Sequence, residues 1–195
     1  MSYIQLCDKS KHEFLNEDGS LATFQPRIEV IAFALSNINR FTGHVGGYSV
    51  AQHSICCAII IAKQEPDNYK LQLSALLHDA TEAYLNDVVS PLKALLPEYK
   101  KIEDHYHDII DKFFNIETRC DKVKQADMMM LAREAEAFKL DMLLHDIERI
   151  GIKPCRTKLG VFSPTNERRL SLDSVYSEFM QIYHYLKEVI YEEKT

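Results

Sequence analysis

The stretch from Leu71 to Leu85, Leu-Gln-Leu-Ser-Ala-Leu-Leu-His-Asp-Ala-Thr-Glu-Ala-Tyr-Leu, constrains the fold more than any other part of the chain. Leu73, Leu76, Leu77, Ala80 and Tyr84 recur at helical spacing and make one apolar face that must be buried against other elements. His78 and Asp79 stand at the edge of that face, and Glu82 follows four residues after His78 and three after Asp79. Side chains so spaced crowd one side of a helix. A carboxylate out of water without a partner is costly, and a divalent cation satisfies imidazole and carboxylate together.

Two other stretches offer metal-ligand side chains from an apolar face. Tyr48-Ser49-Val50-Ala51-Gln52-His53-Ser54 opens an amphipathic helix with His53 among apolar positions, and Val123-Lys124-Gln125-Ala126-Asp127 sets an acid just before Met128-Met129-Met130-Leu131-Ala132. Helices from Ser49 to about Gln64 and from about Tyr69 to Leu85 are joined by the turn Glu65-Pro66-Asp67-Asn68. So short a link makes antiparallel neighbours, which brings His53, near the start of one, beside His78-Asp79, near the end of the other.

The remaining pattern is helical almost throughout. Ile28, Ile31, Ala32 and Leu35 mark a first helix ending near Asn39, Pro97 starts one that runs to about Ile116, and further helices span about Cys120 to Ile150 and about Thr165 to Glu192. A loop with Gly151, Pro154, Gly160 and Pro164 separates the last two. His105 and His107 lie two residues apart, about 200° around a helix, and cannot share one ion. Residues 3–25 do not read as helix; Tyr3 to Cys7 and Ala22 to Phe24 are predicted as short strands around a turn at Glu17-Asp18-Gly19-Ser20. The expected fold is an all-α bundle forming a single domain over 1–195, with 1–25 as an N-terminal arm or small hairpin and 26–195 as the helical core.

A formal net charge of −6 argues against stable nucleic-acid binding, which needs a basic stripe along the phosphates. It leaves room for a small phosphate ligand, held by two or three placed cations. Five cysteines, Cys7, Cys56, Cys57, Cys120 and Cys155, contain no Cys-x-x-Cys and fit reduced, cytoplasmic usage with a packing role. Asp8, Lys9 and Lys11 occupy the place of a signal peptide's apolar segment, and the longest apolar run, Ile55 to Ala62, is too short to cross a bilayer.

The ordered set His53, His78-Asp79 and Asp127 on a helical core resembles the HD-domain metal-dependent phosphohydrolases. Within them the chain looks most like the small deoxynucleotide phosphohydrolases, which include the bacterial 5'-deoxynucleotidase and the phage-type dATP triphosphohydrolases. The likeness spans roughly residues 25 to 185 and is carried by Arg40-Phe41, His53, His78-Asp79-Ala80-Thr81-Glu82, Asp87, Pro91-Leu92-Lys93 and Lys124-Gln125-Ala126-Asp127. It implies an HD-domain helical bundle in which His53, His78, Asp79 and Asp127 hold a divalent metal ion. Mixed nitrogen and oxygen ligands leave zinc, cobalt, manganese and magnesium open. It also implies catalytic acids at Glu82 and Asp87, and substrate contacts from Arg40, Phe41, Lys93 and Lys124. The better-known members usually carry Trp where this chain has Phe41, which weakens any inference about the base.

The implied reaction is hydrolysis of deoxynucleoside triphosphates, dATP preferred, to deoxynucleoside plus triphosphate, by metal-activated water at the alpha phosphorus. A 5'-deoxynucleotidase releasing orthophosphate from deoxynucleoside monophosphates is the alternative, and a catalytically inactive nucleotide-binding regulator is the alternative of another class. An oxygenase on the same scaffold would need more inward histidines. The small-molecule deoxynucleotide is the expected partner, with no membrane contact, and the family's habit of assembly implies a homo-oligomer.

Overall fold

The computed structural model describes residues 3–156 and 171–192. Two short strands, β1 (Tyr3–Gln5) and β2 (Lys11–Glu13), pair antiparallel with Ile4 opposite His12. Helices follow: α1 (Ile28–Asn37), α2 (Val50–Gln64), α3 (Tyr69–Leu76), the short α4 (Glu82–Leu85) and α5 (Ser90–Lys93), α6 (Pro97–Phe114), α7 (Asp121–Ala137), α8 (Asp141–Arg149) and α9 (Leu172–Glu192). The fold is all-α, as the periodicity requires. The start of the last helix expected at 165–170, and the part of the preceding loop from 157 on, lie outside the described residues.

Helix α2 is the centre. Ala51, Ile55, Cys56, Cys57, Ala58, Ile60 and Ile61 leave it apolar nearly all round, so it must be enclosed. It packs against α1, α3, α7 and α9. Its start is fixed by a reciprocal cap: the Ser49 hydroxyl accepts from the Gln52 backbone N–H, and the Gln52 side chain accepts from the Ser49 backbone N–H at 3.0 Å. Fixing that turn fixes His53.

Three sequence expectations are corrected. The helix through Leu71 to Leu85 is broken at its most polar point: α3 stops at Leu76, residues 77–81 form tight turns, and α4 begins at Glu82. The His78 ring explains this, because Nδ1 donates to the Ala75 carbonyl at 2.8 Å and competes with the backbone for that acceptor. The following N–H groups of Ala80, Glu82, Ala83 and Tyr84 bond three residues back. The helix expected over 120–150 is two, α7 and α8, with Lys139 in the left-handed region at φ 58° and Leu140 N–H on the Ala135 carbonyl. In the arm, the partner of β1 is Lys11–Glu13 and not Ala22 to Phe24; the Asp18-Gly19 turn closes a single bridge between Leu15 and Leu21 instead.

Candidate metal centre

His53 closes the first turn of α2 and is fully buried. Its Nδ1 lies 2.6 Å from Glu134 Oε1. A carboxylate only accepts, so Nδ1 carries a hydrogen, and Nε2 is the ring atom turned to the rest of the cluster. Nε2 looks toward Asp127 Oδ1 at 3.1 Å, Cys57 Sγ at 3.4 Å and Asp79 Oδ2 at 3.9 Å. The His78 ring lies 5.2 Å away, centroid to centroid. With Nδ1 committed to Ala75, its Nε2 meets no hydrogen-bonding group and faces Asp79 Oδ2 at 3.2 Å. Two imidazole Nε2 atoms thus face carboxylates at one place, an arrangement that a bound cation satisfies.

The spacing fits one. Ligand atoms from His53, Cys57, His78 and Asp127 all lie within 4.8 Å of one another. Donors bound at about 2.0–2.3 Å from a common ion stand roughly 3–4 Å apart. These residues, three of them buried and Asp127 half-buried, form a set able to hold a metal ion. Of the expected ligands, His53, His78 and Asp127 belong to it, and Asp79 borders it through both imidazoles.

The electrostatics agree. Burial and the Arg40 charge oppose a proton on His53, yet Cys57, Glu134 and Asp127 outweigh them and raise its pKa well above the ordinary value. Asp127 is held well below the usual carboxylate range: burial would raise it, but the His53 hydrogen bond and the charges of His53, His78 and Arg40 win. In effect, the site recruits positive charge.

Glu134 is the residue that sequence reasoning missed. It sits seven positions after Asp127, two turns along the same face of α7, and is fully buried. Besides orienting His53, it accepts from Arg40 Nε at 3.1 Å and from an Arg40 terminal nitrogen at 3.0 Å. Burial would raise its pKa, and Arg40 and His53 pull it down instead, so it stays ionised. A carboxylate behind a metal-ligating histidine fixes the ring's tautomer and orientation. Cys57 was read from sequence as core packing; its place one turn after His53 was the available signal.

A cleft of about 550 Å³ opens onto the cluster, within the range of small-molecule sites. Its charged lining is Asp79, Glu82, Asp87, Asp127, Arg40 and Lys93, and its apolar lining includes Phe41, Val88, Met128, Leu131 and Leu143. Arg40 and Phe41 come from a 3-10 turn, Arg40–Gly43, in which Phe41 and Thr42 hold left-handed conformations at φ 53° and 50°. Two consecutive non-glycine residues in that region carry a local conformational cost that the surrounding packing must offset. Arg40 also lies 3.7 Å from Asp79. Lys93 is paired with Glu103 at 2.5 Å. Burial, then Asp79 and Asp87, push the Glu82 carboxyl well above its usual range, and its Oε2 has no hydrogen-bond partner. Asp87 is raised by burial too. Lys124, by contrast, is exposed on α7 and is not among the residues lining the cleft. His105 and His107 serve structure, bonding the Ala22 carbonyl and the Thr118 hydroxyl at 3.0 and 3.1 Å. No helix among the described residues is long and apolar enough to cross a membrane.

No protein-family model matches the chain. It is 41% identical over 116 residues to YfdR of Escherichia coli K12, an uncharacterized protein, covering 58% of this chain and 62% of YfdR. It is 38% identical over 82 residues to an uncharacterized protein of Rhodobacter capsulatus, covering 40% of this chain and 42% of that protein. The match thus spans about three fifths of one relative and two fifths of the other.

Proposed function

We propose that the chain is a metal-dependent phosphohydrolase of the HD-domain kind, acting on the 5'-phosphate of a deoxynucleotide. The observation that carries this reading is the pair of imidazole Nε2 atoms, of His53 and His78, turned toward Asp127 and Asp79 beside a cleft of about 550 Å³. Zinc, cobalt, manganese and magnesium are the candidate ions, and a bound divalent ion would acidify water and polarise the phosphoryl oxygen.

The chain's own groups supply the rest. Arg40 is pinned by Glu134, so its guanidinium is presented at the cleft without freedom to wander. Together with Lys93 it stabilises charge on the phosphate oxygens. Glu82, protonated by its surroundings, donates a proton from its unpartnered oxygen to the departing ester oxygen. Asp87 orients the attacking water from the cleft wall. The apolar wall around Phe41 and Leu131 receives the sugar and base.

Deoxynucleoside triphosphates, dATP first, are the substrates suggested by the resemblance. The position of Lys124 supports a second reading, deoxynucleoside monophosphates: with Lys124 outside, Arg40 and Lys93 are the lysine and arginine that line the cleft among the described residues. Incubation of each dNTP and dNMP with protein and divalent metal separates the two, since released triphosphate supports the first and orthophosphate from a dNMP the second. Asp79→Ala is expected to lose metal and turnover together, whereas Glu82→Ala keeps the metal and loses turnover. Full activity in Glu82→Ala removes the proposed proton donor.

A further inference from the structure

The Cys56-Cys57 pair on α2 points two ways. Cys56 lies on the side of Tyr48, whereas Cys57 Sγ lies 3.4 Å from His53 Nε2. A thiol donating to Nε2 would account for that one contact. It would do nothing for the bare His78 Nε2, 92% buried, or for the carboxylates of Asp79 and Asp127 that face the same place. Sulfur and imidazole nitrogen bound to one tetrahedral ion, at about 2.3 and 2.0 Å, would stand roughly 3.5 Å apart. The observed spacing matches that arrangement.

We propose that Cys57 is a ligand of the bound ion, joining His53, His78 and Asp127, and that its sulfur biases the site toward zinc and cobalt over magnesium and manganese. This inference rests on the metal-binding reading above. On binding, the S–H bond breaks, the sulfur electron pair goes to the ion and the proton leaves to water, so metal uptake releases a proton. Burial, opposed by His53 and aided by Asp127 and Asp79, pushes the thiol up to about 11, so without an ion Cys57 is a neutral core thiol. Thiolate favours the borderline and soft cations, and hard cations prefer oxygen.

The test is a cobalt(II) titration of the metal-free protein, followed by absorbance, with far-UV circular dichroism as a folding control. Wild type is expected to show visible bands of bound cobalt together with a near-ultraviolet thiolate-to-cobalt charge-transfer band. Cys57→Ser and Cys57→Val should keep the visible bands and lose the charge-transfer band, and Cys56→Ser should keep both. In zinc against manganese competition read by elemental analysis, Cys57→Ser should lose about 10- to 100-fold of the zinc preference, the scale on which altered metal shells act. Cobalt bound to wild type without the charge-transfer band, or a band that survives in the folded Cys57 variants, overturns the inference and leaves the metal centre standing. Absence of any cobalt band in wild type overturns both.

Discussion

Two buried histidines divide the molecule into contrasting regions. His12, on β2, is boxed by rings: Phe24 and Tyr84 lie 4.9 and 4.8 Å from it, and the Tyr106 hydroxyl meets its Nε2 at 2.8 Å. Burial lowers its pKa. His53 is buried at least as deeply, yet carboxylates on either side raise its pKa. Burial among rings expels a proton, and burial among acids recruits a cation. The first region is a structural joint that seats the arm on α4 and α6; the second is a set of side chains able to hold a metal ion.

The contrast is broken hardest at Glu134. Glu134→Ala leaves Arg40 and His53 without their shared anion in a dry interior, and is expected to cost about 3–5 kcal/mol in urea unfolding. Its counterpart in the other region is gentler. Tyr106→Phe removes one neutral hydrogen bond and should cost about 1 kcal/mol, with metal uptake unchanged by calorimetry. If Tyr106→Phe weakened metal binding as Glu134→Ala must, the two regions would be one.

A pH series sharpens the same point. Because the folded pKa of His12 lies below 6.5, its contribution to stability is present above 6.5 and is lost as pH falls through the folded value. His12→Phe should flatten that acid-side loss in a plot of unfolding midpoint against pH. An unchanged slope would mean that the box does not exclude the proton. The smallest effect belongs to Lys124: exposed and away from the cleft, it should tolerate Lys124→Ala within about 0.5 kcal/mol, with KM unmoved. Lys93→Ala should raise KM.

What was legible in the sequence follows from how each feature is encoded. Helix periodicity marks buried faces directly, so the all-α class could be read before any coordinates, and the short link after Gln64 set His53 beside His78; that Asp127 joins them was implied by the resemblance. Stops were legible only where the residue announced them. Asn115 ends α6 in the left-handed region, which asparagine tolerates and the reading nearly located. Lys139 does the same between α7 and α8 with a side chain that gives no warning. The break at Leu77 was hidden because a side chain made it: the His78 ring captured a backbone acceptor, and no propensity scale anticipates that. Glu134 and Cys57 stayed out of view for a different reason. Each lies one or two turns from a recognised ligand, but a glutamate reads as surface and a cysteine as filler until the facing element is known.

The central claim is that acids and imidazoles from α2, α7 and the turn after α3 enclose a cation. Zinc calorimetry on the chelator-treated protein tests it most directly, with wild type beside His53→Ala and Asp127→Ala. The account predicts one ion taken up per wild-type chain and none at comparable strength in either folded variant. Wild type that takes up no ion, or variants that bind as wild type does, would contradict it.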